Sequence, residues 1–199
     1  MNINFAKSAL IEVDVQNDFC PGGSLAVNEG DKVAAPLNDF ARRFNAAGAP
    51  VIATQDWHPA GHCSFASSGR KAAEGEVLWP DHCVQGTAGS DFHPDLDIRP
   101  VTLIIRKGFR PSIDSYSAFF ENDRKTITGL AGFLKDLGVD TVYMGGLATD
   151  YCVFFSAMDA LKLGFAVYLL RDAVRGVGYP EGSVERALSS MKDAGVVML

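Results

Sequence analysis

Short, nearly continuous apolar runs alternate with segments of helical spacing along most of this chain, and that alternation leaves few folds open. Residues 9–15, 51–54, 101–107, 141–144, 165–170 and 196–199 read as strands. Between them, apolar residues at 33, 34, 37, 40, 41 and 44 mark one face of a helix stopped by Gly48. Further helices are expected over 127–137, ended by Gly138, from the region of Cys152 to about Leu163, with Gly164 as terminator, and over 180–192. Strands that are apolar on both faces must be covered on both faces. The expected fold is therefore α/β: a three-layer α/β/α arrangement with a mostly parallel, doubly wound sheet of about six strands, in one domain spanning 1–199.

Composition narrows the functional classes. The net charge of −6, without any run of Lys or Arg, argues against a nucleic-acid partner. The first apolar run already contains Glu12 and Asp14, unlike a signal peptide, and no apolar run is long enough for a membrane span. A soluble, cytoplasmic protein is expected, in which Cys20, Cys63, Cys83 and Cys152 are free thiols. The segment 57–100 shows no strand pattern, only Gly, Pro, Ser and scattered His. Such a long irregular segment is usually functional, disordered or pinned.

Four chemically capable residues fall at the carboxyl ends of expected strands, where open α/β sheets bind ligands: Asp14, Asp56, Lys107 and Cys152. Cys152 follows a strand, a glycine pair and Thr149, which reads as a helix N-cap. Free N–H groups and the helix dipole at such a turn favour a thiolate, and could hold an oxyanion formed by its attack on a carbonyl. The alternative is a thiol that merely packs. Asp56-Trp57-His58 sets a carboxylate and an imidazole two residues apart, on one side of an extended chain. His62 and His82 lie in the same irregular segment. This donor set selects one divalent transition metal ion, Zn, Fe or Mn. His93 reads as a surface residue, and Cys20, Cys63 and Cys83 as packing residues, since their spacings fit no paired C-x-x-C zinc pattern.

These residues sit in blocks that resemble the nicotinamidase (pyrazinamidase) branch of the isochorismatase-like hydrolases. The blocks are Asp14-Val15-Gln16-Asn17-Asp18-Phe19, Asp56-Trp57-His58-Pro59, Trp79-Pro80-Asp81-His82-Cys83, Lys107-Gly108 and Gly146-Leu147-Ala148-Thr149-Asp150-Tyr151-Cys152-Val153. The resemblance implies Cys152 as nucleophile, Asp14 as its base and Lys107 as electrostatic partner of both. It implies Asp56, His58 and His82 as metal ligands, with His62 behind them. It also implies a cis peptide between Leu147 and Ala148, an oxyanion hole of the Ala148 and Cys152 N–H groups, and a ring-binding wall of Phe19, Trp79 and Tyr116. The implied activity is metal-dependent hydrolysis of nicotinamide, and of pyrazinamide, through a cysteine thioester. The implied partners are these small molecules, with neither nucleic acid nor membrane, and self-association into a homo-oligomer stays open. Two rivals remain: a carbamoyl- or maleamate-type amidohydrolase of the same fold, and a non-catalytic metal-binding protein in which Cys152 only packs.

Overall fold

The computed structural model describes residues 3–73 and 75–199. Six strands form one sheet: β1 (Ser8–Val13), β2 (Val51–Asp56), β3 (Leu103–Lys107), β4 (Thr141–Leu147), β5 (Ala166–Arg175) and β6 (Val197–Met198). Their order is β3-β2-β1-β4-β5-β6, and every pairing is parallel. The helices are α1 (Ala34–Ala46), α2 (Leu130–Asp136), α3 (Cys152–Lys162) and α4 (Ser183–Asp193). This is the expected doubly wound α/β fold. Its order reverses between β1 and β4, which is where such sheets open a crevice.

Alternation along the strands sends side chains to two cores. Ile11, Val13, Val142 and Met144 meet Leu134 of α2, Val153 and Ala157 of α3 and Met191 of α4. Leu10, Val51 and Tyr143 meet Leu37, Ala41 and Phe44 of α1 on the opposite face. Fully burying a residue such as Leu37 or Phe44 is worth about 1.5–3 kcal/mol, so the apolar stripe of α1 is enough to fix that helix on the sheet. Among the described residues, no helix is long and apolar enough to cross a membrane.

The irregular segment after β2 is pinned by hydrogen bonds. The His58 N–H donates to the Cys83 carbonyl at 3.0 Å, and the Gln85 N–H to the His58 carbonyl at 2.8 Å. Trp79 and Ser64 are joined in the same way at 2.8 Å. From β1's end, the Gln16 side-chain amide donates to the carbonyls of Asp56 and Ser90, and Asp18 accepts the Cys83 N–H at 2.7 Å. A strand-like scaffold is thus built from loop backbone without a regular strand.

One buried polar group stands outside these networks. Glu12 shares the α1 face of β1 with Leu10, and both its carboxylate oxygens lack a hydrogen-bond partner. Burial, reinforced by the charge of Asp97, pushes its pKa up from 4.5 to about 8. The folded state therefore holds this proton more tightly than the unfolded chain does. The resulting stability is full below about pH 4.5 and is lost as pH rises through about 8. Glu12→Val should raise the melting temperature, and the gain over wild type should widen between pH 5 and pH 8.5 in parallel thermal melts. A gain independent of pH would show that Glu12 is not protonated in the fold.

Candidate active site

The carboxyl ends of β1 to β4 converge on one buried cation. Lys107, the last residue of β3, is fully buried. Its Nζ lies 2.8 Å from Asp14 Oδ2, donates to Asp56 Oδ1 and to the Ser115 carbonyl at 3.1 Å, and lies 3.5 Å from Cys152 Sγ. Parallel register sets Asp56 directly beside Lys107. Asp14 lies just beyond β1 with φ +48°, a left-handed conformation uncommon for any residue but glycine. Thr54 secures it twice, taking the Asp14 N–H at 3.1 Å and donating its hydroxyl to Oδ1 at 2.6 Å. The other oxygen, Oδ2, is close to Lys107 but has no well-aligned donor. It is the one left to exchange a proton.

The charges set each group apart. Burial works against the Lys107 ammonium, yet Asp14 and Asp56 outweigh it and hold its pKa well above 10.5. Burial raises Asp14 despite Lys107, so its carboxylate is a better base than usual. Asp56 goes the other way: burial is outweighed, chiefly by Lys107 and His58, and its pKa is lowered. The Cys152 thiol is pushed well above its ordinary value by burial, with Lys107 lowering it only in part. Burial thus opposes the thiolate favoured by the sequence reading. Thr149 is not the N-cap either. Tyr151 occupies that position, and the Thr149 N–H instead donates to the Arg175 carbonyl at 2.8 Å.

Asp56 also faces a second cluster. Its Oδ2 lies 3.6 Å from His58 Nε2 and 3.9 Å from His82 Nε2. His58 Nδ1 donates to the Gly108 carbonyl at 2.8 Å and His82 Nδ1 to the Pro80 carbonyl at 2.7 Å. A carbonyl only accepts, so each Nδ1 carries a proton, and both Nε2 atoms face the carboxylate, where neutral imidazoles would offer their lone pairs. That is how metal-binding histidines are held. Burial lowers the pKa of His82, which keeps that imidazole neutral. His62 stacks on His58 with ring centroids 4.3 Å apart. Its nitrogens are engaged by the Ser64 hydroxyl at 2.7 Å and by the carbonyls of Arg110 and Ile113. It stands behind the cluster.

Above Cys152 opens a small cavity. Phe19, Trp79 and Tyr116 line it, together with Asp56, His82, Ala148 and Cys152. Trp79 Nε1 donates to the Tyr116 hydroxyl at 3.1 Å, which locks two walls together. The Leu147–Ala148 peptide is cis. The N–H groups of Ala148 and Cys152 have no acceptor among the described residues. Both are free to meet a developing oxyanion.

Several lining residues escaped the sequence reading. Tyr151 packs edge-on against Trp79 at 4.8 Å, and Leu25, Asp114 and Val177 complete the wall. Val177 is delivered by a clamp: the Asp150 carboxylate accepts the Val177 and Gly178 N–H groups at 2.9 Å and the Ser183 hydroxyl at 2.5 Å. Tyr151 and Asp150 were visible in the block around Cys152, whereas Leu25 and Val177 carried no local signal. His93, expected at the surface, is half-buried, and its ring lies beside Asp95, 3.9 Å from Nδ1 to Oδ2. All four cysteines are free, with Cys20 and Cys83 buried and Cys63 half-buried.

A parallel sheet that opens over a buried Asp–Lys–Cys set defines a class of hydrolase, and the family comparison agrees. Residues 8–199 match the isochorismatase domain, and the chain belongs to that family. It is 48% identical over 197 residues to the nicotinamidase of Acinetobacter baylyi, covering 94% of this chain and 90% of that one. The structure of PnC1 from L. infantum in complex with nicotinate superposes with a TM-score of 0.89 at 41% identity, covering 100% and 95% of the two chains. That of the pyrazinamidase of Pyrococcus horikoshii in complex with zinc gives 0.84 at 46% identity, covering 97% and 98%.

Gly108 tests the histidine cluster. It has φ +64°, and a Cβ there would meet His58 Cε1 at 2.4 Å. Gly108→Ala should displace the His58 ring and weaken zinc binding about 10-fold or more, the usual cost of disturbing a ligand's support. Competition against a zinc chelator measures it, and unchanged affinity would remove His58 from the ligand set.

Proposed function

We propose that this protein hydrolyses nicotinamide to nicotinic acid and ammonia through a thioester on Cys152, within a single domain spanning 1–199, and that it accepts pyrazinamide in the same way. The observation that carries this reading is that one small aromatic cavity holds the Cys152 thiol, two free N–H groups and the Asp56–His82 edge of a convergent donor set. The relatives named for nicotinamide and pyrazinamide hydrolysis, and those bound to nicotinate or zinc, support it.

The donor chemistry fits a divalent transition metal: Asp56, His58 and His82 would hold it, as zinc, iron or manganese. Such an ion supplies a Lewis-acid anchor for a heteroaromatic nitrogen. The remaining steps belong to the chain. Asp14 Oδ2 takes the Cys152 proton as Sγ bonds to the amide carbon, and the oxyanion meets the Ala148 and Cys152 N–H groups. Asp14 passes that proton to the leaving nitrogen, the C–N bond breaks, and ammonia departs. Water then gives a proton to Asp14 and its oxygen to the acyl carbon. The C–S bond breaks, and the proton returns to sulfur. The raised pKa of Asp14 suits this relay, because the residue must hold the proton between steps. Lys107 lowers the energy of negative charge wherever it resides in this corner. Phe19, Trp79 and Tyr116 enclose the ring.

Ammonia release from nicotinamide, measured before and after chelation, tests the activity directly. Release should stop on chelation and return with Zn, Fe or Mn. No release with any of these metals would redirect the assignment to other small amides. Cys152→Ala should abolish turnover and keep bound metal, whereas His82→Ala should lose both. Loss of metal from Cys152→Ala, or its full retention in His82→Ala, would overturn the corresponding role.

A further inference from the structure

Asp150 lies two residues before Cys152 and takes no part in the proposed reaction, yet it is 8% exposed and both its oxygens are engaged. All three donors come from one stretch of chain. Oδ1 accepts the Val177 N–H at 2.9 Å, and Oδ2 accepts the Gly178 N–H at 2.9 Å and the Ser183 hydroxyl at 2.5 Å. Gly176 lets that stretch come close: a Cβ there would stand 3.2 Å from Oδ1 and 2.3 Å from Val184 Cγ2. The stretch joins β5 to α4, and its Val177 side chain lines the cavity and packs against the core that contains Phe19 and Ala148.

The two sides of this contact differ in what else holds them. Among the described residues, Val177, Gly178 and Tyr179 make no hydrogen bond to another backbone group. Their polar ties are the Asp150 carboxylate and the Tyr151 hydroxyl, which donates to the Tyr179 carbonyl at 2.5 Å. The turn that bears Cys152 has bonds of its own. The Thr149 N–H donates to the Arg175 carbonyl at 2.8 Å, and the Tyr151 and Val153 N–H groups both donate to the Ala148 carbonyl at 3.1 Å. Loss of the Asp150 carboxylate therefore frees the Val177 wall before it moves the nucleophile.

We propose that Asp150 is a positioning residue that sets the fit of the pocket for its substrate, by holding Val177 as a fixed wall of the cavity over Cys152. This rests on the amidase reading for its kinetic consequence and on the cavity alone for the access it gives to the thiol. A residue that served only the stability of the fold would lower the melting temperature. It would neither separate KM from kcat nor change the size of reagent that reaches Cys152.

Asp150→Asn keeps the shape but offers one acceptor oxygen where two are used, so one peptide N–H is left facing an amide NH2. KM for nicotinamide should rise about 5- to 10-fold while kcat stays within about 3-fold of wild type. KM within about 2-fold of wild type, or a kcat that falls as far as KM rises, would overturn the proposal. A second readout needs no substrate: alkylation of Cys152 on the whole protein by iodoacetamide and by N-ethylmaleimide, a bulkier flat ring, followed by peptide mass spectrometry. Asp150→Asn should raise the maleimide rate relative to the iodoacetamide rate about 3-fold or more, and an unchanged ratio would overturn the proposal as well. Should Asp150→Asn fail to fold, Val177→Ala decides, since it trims the wall and leaves the clamp in place. A raised KM and a raised maleimide ratio support the proposal, and wild-type values of both overturn it. Wild-type protein inactive on nicotinamide would defeat the functional reading alone, because the alkylation ratio still judges Asp150.

Discussion

The ammonium of Lys107, fully removed from water between two carboxylates, is the interaction on which the rest of the site depends. A lone buried ammonium is unfavourable, and removing one partner of a buried pair typically costs about 3–5 kcal/mol. Here three adjacent strands each deliver one member of the set: Asp14 from β1, Asp56 from β2 and Lys107 from β3. Parallel register brings their ends level. The sheet thus does more than support the site. Its register determines whether the charges meet.

Asp56 joins this corner to the histidines. One of its oxygens faces Lys107 and the other faces His58 and His82. The two halves of the proposed chemistry, amide cleavage over Cys152 and retention of a ring beside the donor set, are therefore not independent modules. A disturbance of one oxygen of Asp56 reaches the other through the same planar group.

Much of this was legible from residue type and position. Asp14, Asp56, Lys107 and Cys152 lie at strand ends because the apolar runs stop there, and the fold rule for parallel sheets brings those ends together. What the sequence hides is burial. Residue type does not show that Lys107 is fully buried, nor that at Cys152 burial outweighs the lowering supplied by Lys107. Two strands also run farther than their apolar patterns. β4 continues through Gly145 and Gly146 because its backbone presses on β1: a Cβ at Gly146 would stand 2.1 Å from the Val13 carbonyl oxygen. β5 continues past Arg171 and Asp172 to pair again with the end of β4 around a bulge. Leu25 and Val177 could not be foreseen, since each reaches the cavity by a loop path that local pattern does not encode.

The Asp150 clamp has a consequence for traffic through the cavity. Because one carboxylate fastens the turn that carries Cys152 to the segment that carries Val177, those two sides of the mouth travel as a unit. The Tyr151 hydroxyl reinforces the seam by donating to the Tyr179 carbonyl at 2.5 Å. The opposite rim is formed by Trp79, carried on the segment after β2. That rim is tied to loop backbone rather than to the sheet: the Trp79 N–H donates to the Ser64 carbonyl and the Ala66 N–H to the Trp79 carbonyl, both at 2.8 Å. The side bearing Cys152 is thus fastened to the sheet, and the Trp79 side to loop backbone.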